Sequence, residues 1–166
     1  MKIGLDFDRV LFDTDRFDDF YKEKVKGLHH VEDPSPVKNG CYDPEIHAEL
    51  CEIPTQRIWN VFDHDLSQFI YSDIELLQEL GKKHTLFIVS RGHQRFQKSK
   101  IEASGVEKYV EEVHIVQEEP KDSVEIDILV EDREEELERV KIPTVRINRP
   151  KEGLKKVIEK VKDFEA

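Results

Sequence analysis

Apolar positions along the chain follow two different rhythms, one within residues 14–80 and another on either side of that stretch. Ile3, Leu5 and Phe7 alternate with Lys2, Gly4 and Asp6, a period of two that predicts a strand over residues 2–7. Helical spacing then takes over. Phe17, Phe20, Tyr21, Val25 and Leu28 form one helical pattern. Ile46 with Leu50, and Ile58 with Trp59 and Phe62, mark two shorter ones. Ser72 with Glu75 predicts a capping box opening a helix that stops at Gly81. Between these patterns EDPSPVKNG (32–40) carries two prolines and an Asn-Gly, and predicts loop or turn.

From residue 84 the rhythm becomes strand, helix, strand. HTLFIVS (84–90), VHIV (113–116), IDILV (126–130) and TVRI (144–147) are short apolar runs, and helical patterns occupy residues 94–103, 133–140 and 151–164. Five apolar strands with intervening helices predict an α/β fold whose parallel sheet is covered on both faces. Ligands of such sheets gather beyond the carboxyl ends of the strands. The first strand ends at Asp6 and Asp8, the second at Ser90 and the fourth at Glu131 and Asp132, with Lys121 between the third and fourth. Clustered carboxylates repel unless a cation sits among them, and hard oxygen ligands suit Mg²⁺. A hydroxyl and an ammonium suit phosphoryl oxygens. The strand ends therefore hold the parts of a site for a divalent metal and a phosphoryl group.

Composition narrows the partners. At 166 residues the chain suits one domain with a small insertion. A net charge of −11 argues against a nucleic-acid polymer or an anionic membrane surface, so an anionic ligand must be met by a local site. A small phosphorylated metabolite is the expected partner. MKIGLDFD places an Asp where a signal peptide needs an apolar stretch, and the run Leu86 to Val89 is too short to span a bilayer. Cys41 and Cys51 are the only cysteines and are expected as reduced thiols in a cytoplasm. His29, His30, Cys41, His47 and Cys51 fit no common zinc spacing. Charged residues make up 38%, against about 25% in typical proteins, which fits a heat-adapted source.

DFDRV (6–10) resembles the Asp-x-Asp-x-Val/Thr opening motif of the haloacid dehalogenase-like superfamily of phosphatases. Ser90 in FIVSRG matches its second motif, Lys121 in EEPKDS its third, and the acidic pair in ILVEDRE its fourth. The resemblance implies a three-layer Rossmann-like core over residues 1–13 and 81–166, with a parallel sheet in the order 5-4-1-2-3, and a small helical cap over 14–80. It further implies that Asp6 attacks phosphorus and that Asp8 moves protons. Mg²⁺ would be held by Asp6, by Asp8 through its backbone carbonyl, and by Asp132. Ser90 and Lys121, with Arg91 beside them, would bind the phosphoryl oxygens, and Glu131 and Glu136 would support the metal site. The short interval from Lys121 to Asp132 and the closing KIPTVRINRP resemble the 5'(3')-deoxyribonucleotidase branch. Two residues depart from the family pattern: Arg9 stands where glycine is usual, and Glu131 where the first Asp is expected.

Other functions weigh against specific residues. A phosphate-receiving signalling domain needs its acceptor Asp at the end of the third strand, where VHIV ends at Val116. A non-catalytic relative would lack Asp6 or Asp8, and haloacid dehalogenation proceeds in this superfamily without the second acid. Glu134, Glu135 and Glu136 also suit the first turn of a helix. Trp59, Phe62, Phe69 and Tyr71 are expected in the core of the cap, with stacking on a nucleobase as the alternative. Arg57, His64 and His93 are not placed by spacing.

Overall fold

The computed structural model describes residues 1–28 and 36–166. The first strand, β1 (Lys2–Leu5), lies at the centre of a five-stranded parallel sheet, and Ile3 and Leu5 are fully buried as an apolar strand covered on both faces must be. Gly4 is required by close approach, since a Cβ there would lie 2.6 Å from Ile126 Cδ1. The strand is shorter than expected. Asp6 N–H still donates to the Val130 carbonyl at 2.9 Å, but the Phe7 carbonyl then accepts from Leu11 at 3.0 Å and Phe12 at 3.1 Å, turning the chain out of the sheet.

After this turn come α1 (Thr14–Lys24), a hairpin of β2 (Val37–Lys38) and β3 (Cys41–Tyr42), α2 (Pro44–Leu50), α3 (Thr55–Trp59) and α4 (Leu76–Gly81). The Asp13 and Asp43 carboxylates accept backbone N–H groups at the starts of α1 and α2. The hairpin turn falls within the predicted loop: Asn39 and Gly40 both have positive φ, the geometry that Asn-Gly supplies in two-residue turns. The Ser72 capping box does not form, and α4 begins four residues later. Glu75 instead accepts from the Tyr109 hydroxyl at 2.7 Å. The neighbouring Asp73 accepts two hydrogen bonds from Arg149 and the Leu154 N–H, each at 2.8 Å. His29 and His30 lie outside the described residues.

The remaining elements are β4 (Thr85–Arg91), α5 (Gln94–Ser104), β5 (Glu112–Val116), β6 (Ile128–Glu131), α6 (Glu134–Arg139), β7 (Thr144–Arg146) and α7 (Leu154–Glu165). Helix α5 stops at Gly105, in the left-handed conformation at φ 73° that glycine adopts without strain. Across the sheet the order is β5-β4-β1-β6-β7, with Ile3 paired to Leu86 on one side and Ile128 on the other. The expected numbering 5-4-1-2-3 does not hold along the whole chain. The unforeseen hairpin takes second and third place in sequence and lies outside the sheet.

One apolar core cluster runs from Ile3 and Leu5 through Phe12 and Phe17 to Trp59, Leu66 and Phe69. The segment between β1 and β4 therefore packs directly on the sheet layer. Phe12 stacks on Phe69 at 5.9 Å and meets Phe17 edge-on at 5.3 Å, arrangements that stabilise beyond their area. Among the described residues no helix is long and apolar enough to cross a membrane.

Candidate active site

The turn after β1 carries Asp6 and Asp8 to different partners. Asp6 is 5% exposed and accepts from Lys121 Nζ at 2.7 Å. The same ammonium donates to Glu131 Oε2 at 2.5 Å, so one buried lysine bridges the ends of β1 and β6. The other Glu131 oxygen accepts the N–H groups of Asp132 at 3.0 Å and Arg133 at 3.2 Å. Glu131 has no exposed surface and, despite its extra methylene, its carboxylate meets the lysine that holds Asp6. Carboxylate oxygens of Asp6, Glu131 and Asp132 lie within 4.8 Å of one another. Three hard anionic oxygens at that spacing fit a divalent cation of the Mg²⁺ type.

The electrostatics support this assignment. Burial, followed by repulsion from Glu131, holds the Asp6 carboxyl well above the usual range despite Lys121. Burial likewise raises Glu131 and Asp132. Burial opposes the charge on Lys121, but Asp6 and Glu131 outweigh it and the ammonium is held protonated. One lysine thus leaves the acidic group short of positive charge.

Asp8 faces another set of donors. Its Oδ1 accepts from Thr14 Oγ1 and from Lys100 Nζ, both at 2.7 Å, and its Oδ2 from Gln97 Nε2 at 2.7 Å. Burial disfavours the Asp8 carboxylate, but the charge and hydrogen bond of Lys100, with the bonds from Gln97 and Thr14, bring its pKa below the ordinary value. The predicted repulsion between Asp6 and Asp8 is thus relieved by a separate lysine for each. Gln97 Nε2 also donates to Ser90 Oγ at 2.7 Å, tying the fully buried end of β4 to Asp8.

Arg9 has φ 60°, the left-handed conformation in which glycine is strain-free, and its guanidinium turns to Asp15 at 2.8 Å. Arg91 lines the cleft, but Glu136 holds its guanidinium through two hydrogen bonds at 2.6 and 2.9 Å. The carbonyls of Gln117 and Glu119 accept from it as well. Glu136 accordingly braces Arg91 and stands outside the Asp6–Glu131–Asp132 group. Burial opposes its ionisation, yet the Arg91 hydrogen bond keeps its pKa low.

The carboxylates, Lys121, Lys100, Gln97 and Arg91, but not Ser90, line a cavity of about 390 Å³ that extends to Tyr21, Tyr42 and Phe96. The Tyr21 and Tyr42 hydroxyls lie 2.8 Å apart, and Tyr42 Oη is 2.9 Å from His47 Nδ1. His93 also lines the cavity, whereas Arg57 donates to the Lys26 carbonyl and His64 packs edge-on against Phe20. Trp59, Phe62, Phe69 and Tyr71 are not among the cavity residues. Arg95 lies over the Trp59 ring and Arg149 over Tyr71, at 3.9 and 4.2 Å from the ring centres.

No family model matches the sequence, and no curated protein is found to be similar to it. Solved structures are similar in fold. A haloacid dehalogenase-like family hydrolase from Xanthomonas campestris aligns with a TM-score of 0.58 and 12% identity, over 99% of this chain and 96% of its own. A haloacid dehalogenase family enzyme from Bacteroides thetaiotaomicron, an Asp-to-Ala variant in complex with magnesium and inorganic phosphate, aligns with a TM-score of 0.59 and 16% identity over 90% and 94%. L-2-haloacid dehalogenase from Xanthobacter autotrophicus aligns with a TM-score of 0.56 and 11% identity over 98% and 82%. A five-stranded parallel sheet with Asp6 at the end of its central strand, together with these alignments, gives the chain the haloacid dehalogenase-like fold.

Proposed function

We propose that the protein is a Mg²⁺-dependent phosphatase that hydrolyses a small phosphate monoester through an aspartyl-phosphate on Asp6. The observation that carries this reading is the buried Asp6–Lys121–Glu131 bridge with Asp132 beside it, one turn of chain from an Asp8 held by its own donors. Asp6 attacks phosphorus in line as the ester bond breaks. In this reading Lys121, which lines the cavity, and Ser90, fully buried and bonded to Gln97, receive the phosphoryl oxygens. Asp6, Glu131 and Asp132 would hold a Mg²⁺, which would supply positive charge to the transferring group. Asp8 is ionised before substrate arrives, and the dianionic phosphoryl group raises its proton affinity by like-charge repulsion, so that it takes up a proton from solvent as substrate binds. It then gives a proton to the departing oxygen and takes one from the water that cleaves the intermediate. Asp8 with its full donor set favours phosphoryl chemistry over the dehalogenation named for the Xanthobacter neighbour, and the magnesium and phosphate of the Bacteroides neighbour match the groups proposed here.

A screen of phosphate monoesters with Mg²⁺ and with EDTA tests the reading. Nucleoside monophosphates come first in it because of the likeness of residues 121–150 to the deoxyribonucleotidase branch. Hydrolysis that chelation abolishes and Mg²⁺ restores is the expected result, and full turnover in metal-free protein would refute it.

Mg²⁺ should also stabilise the fold in a pH-dependent way. Asp6, Glu131 and Asp132 have raised native pKa values, so the folded state keeps protons that the unfolded state has lost above about pH 4. Stability from these groups therefore falls as pH rises from there through their native pKa values. A cation replaces the protons. The rise in melting temperature on saturation with Mg²⁺ should be larger at pH 8 than at pH 5.5, and a rise that is equal or larger at pH 5.5 would rule out this cluster as the metal site.

We further propose that residues 14–80 act as a cap selecting the leaving group. Tyr42→Ala removes part of the cavity wall, so the ratio of kcat/KM between a bulky and a small monoester should change by about 10-fold, the range that one apolar contact commands. Mg²⁺ affinity should stay within about twofold. Uniform loss on every substrate with weakened Mg²⁺ binding would show that these residues do not select substrate.

A further inference from the structure

Helix α5 puts two polar side chains where a core-facing helix ordinarily puts apolar ones. Gln97 and Lys100, three residues apart on one face, are each 4% exposed. Lys100 Nζ is encircled by the rings of Phe96, Phe17, Phe7 and Phe12, with centroids at 5.2, 5.7, 5.8 and 5.9 Å. An ammonium in such surroundings loses its hydration, and the rings return only part of that cost. Its carboxylate partner is Asp8 at 2.7 Å, and the side chain also lines the cavity. A methionine would fill this place without the desolvation cost, so core packing does not account for a lysine here.

We propose that Lys100 is a positioning residue for phosphoryl transfer, fixing the Asp8 carboxylate on the leaving-group side together with Gln97 and Thr14. The inference rests on the phosphatase reading. In the first half-reaction the Asp6 carboxylate forms its bond to phosphorus while the ester P–O bond breaks. The electron pair leaves on the ester oxygen, which takes the proton from Asp8. Asp8 becomes a carboxylate again, 2.7 Å from Lys100 Nζ. Gln97, bonded to both Asp8 and Ser90, keeps the proton-transfer group in register with the phosphoryl site. A leaving group that needs little protonation should depend little on this arrangement.

The test compares wild type with Lys100→Met and Lys100→Arg on an alkyl phosphate and on p-nitrophenyl phosphate, measuring phosphoenzyme formation by rapid quench, with KM and Mg²⁺ affinity alongside. For Lys100→Met, phosphoenzyme formation from the alkyl ester should slow about 10- to 100-fold, the range seen when a group that orients a functional side chain is removed. Formation from the aryl ester should change by less than about threefold. KM and Mg²⁺ affinity should stay near wild type, and Lys100→Arg, which keeps the charge, should recover most of the alkyl rate. Should Lys100→Met not fold, Lys100→Gln carries the same comparison. Equal slowing on both esters would reduce Lys100 to a structural role, and unimpaired formation in Lys100→Met would overturn the inference with the phosphatase reading intact. A wild-type protein that hydrolyses no monoester overturns both.

Discussion

Asp6→Asn is expected to abolish turnover, with a fall of about 10⁴-fold or more, because the variant loses the attacking carboxylate and one ligand of the cation. No acid-stable phosphoprotein should form when it is mixed with substrate and quenched. Its stability should move the other way. The Asp6 carboxyl is buried and, even with Lys121 bonded to it, its charged form is disfavoured. An amide of the same shape removes that penalty, while Lys121 keeps Glu131 as its anionic partner. In the absence of Mg²⁺ the variant should melt at or above the wild-type temperature, a trade of activity for stability at a strained site. Turnover within tenfold of wild type would remove Asp6 from the role of nucleophile. A fall of several degrees in metal-free melting temperature would show that its charge is compensated more fully than the geometry indicates.

Lys121→Met is expected to have the largest effect on stability. The lysine side chain is 2% exposed and holds Asp6 and Glu131 at 2.7 and 2.5 Å, with Glu131 fully enclosed. Methionine fills the volume but leaves two facing carboxylates with no cation between them. Removing one member of a buried ionic group costs about 3–5 kcal/mol, chiefly through the charges left behind. In a chain of this size that corresponds to a fall of about 6–20 °C in melting temperature. Two further measurements separate this cause from lost packing. Saturating Mg²⁺ should restore part of the loss by returning positive charge to the acidic group, and Lys121→Met combined with Glu131→Gln should melt higher than Lys121→Met alone. A single variant that melts within about 1 °C of wild type in metal-free buffer would show that the bridge is not what holds the strand ends together.

How much of the site is legible in sequence depends on where each residue's information lies. Asp6, Ser90, Lys121, Glu131 and Asp132 each stand at or beside the carboxyl end of an apolar strand. Strand ends are local features, visible as the point where a buried run meets a polar residue. The two lysines show the limit of this signal. Lys121 stands out by its interval from Asp132, but Lys100 sits in QRFQKSKIEAS, where Gln97, Lys100 and Ser104 form a polar stripe that on periodicity alone would be assigned to the solvent face. All three are buried: Gln97 and Lys100 bond to Asp8, and Ser104 bonds to the backbone at the end of α5. A side chain's polarity indicates a surface face only when nothing polar waits inside to receive it.

The same distinction separates the local signals that long-range partners override. The Ser72–Glu75 signature has the right residues, but Arg149 and Leu154, far along the chain, claim Asp73, and Tyr109 claims Glu75, so the local cap yields to long-range partners. Arg91 lies beside Ser90, yet Glu136, 45 residues on, fixes its guanidinium. Alternation, helical spacing and Asn-Gly turn chemistry are contained in neighbouring residues, so the sequence by itself determined the five strands of the main sheet, most of the helices and the convergence of acids with Lys121 on one sheet edge. The partner of each charge is decided by distances between residues tens of positions apart. Only the tertiary structure could therefore assign Lys121 to Asp6, Lys100 to Asp8 and Glu136 to Arg91, because burial makes an unpaired charge too costly to leave and packing alone determines which opposite charge lies within reach.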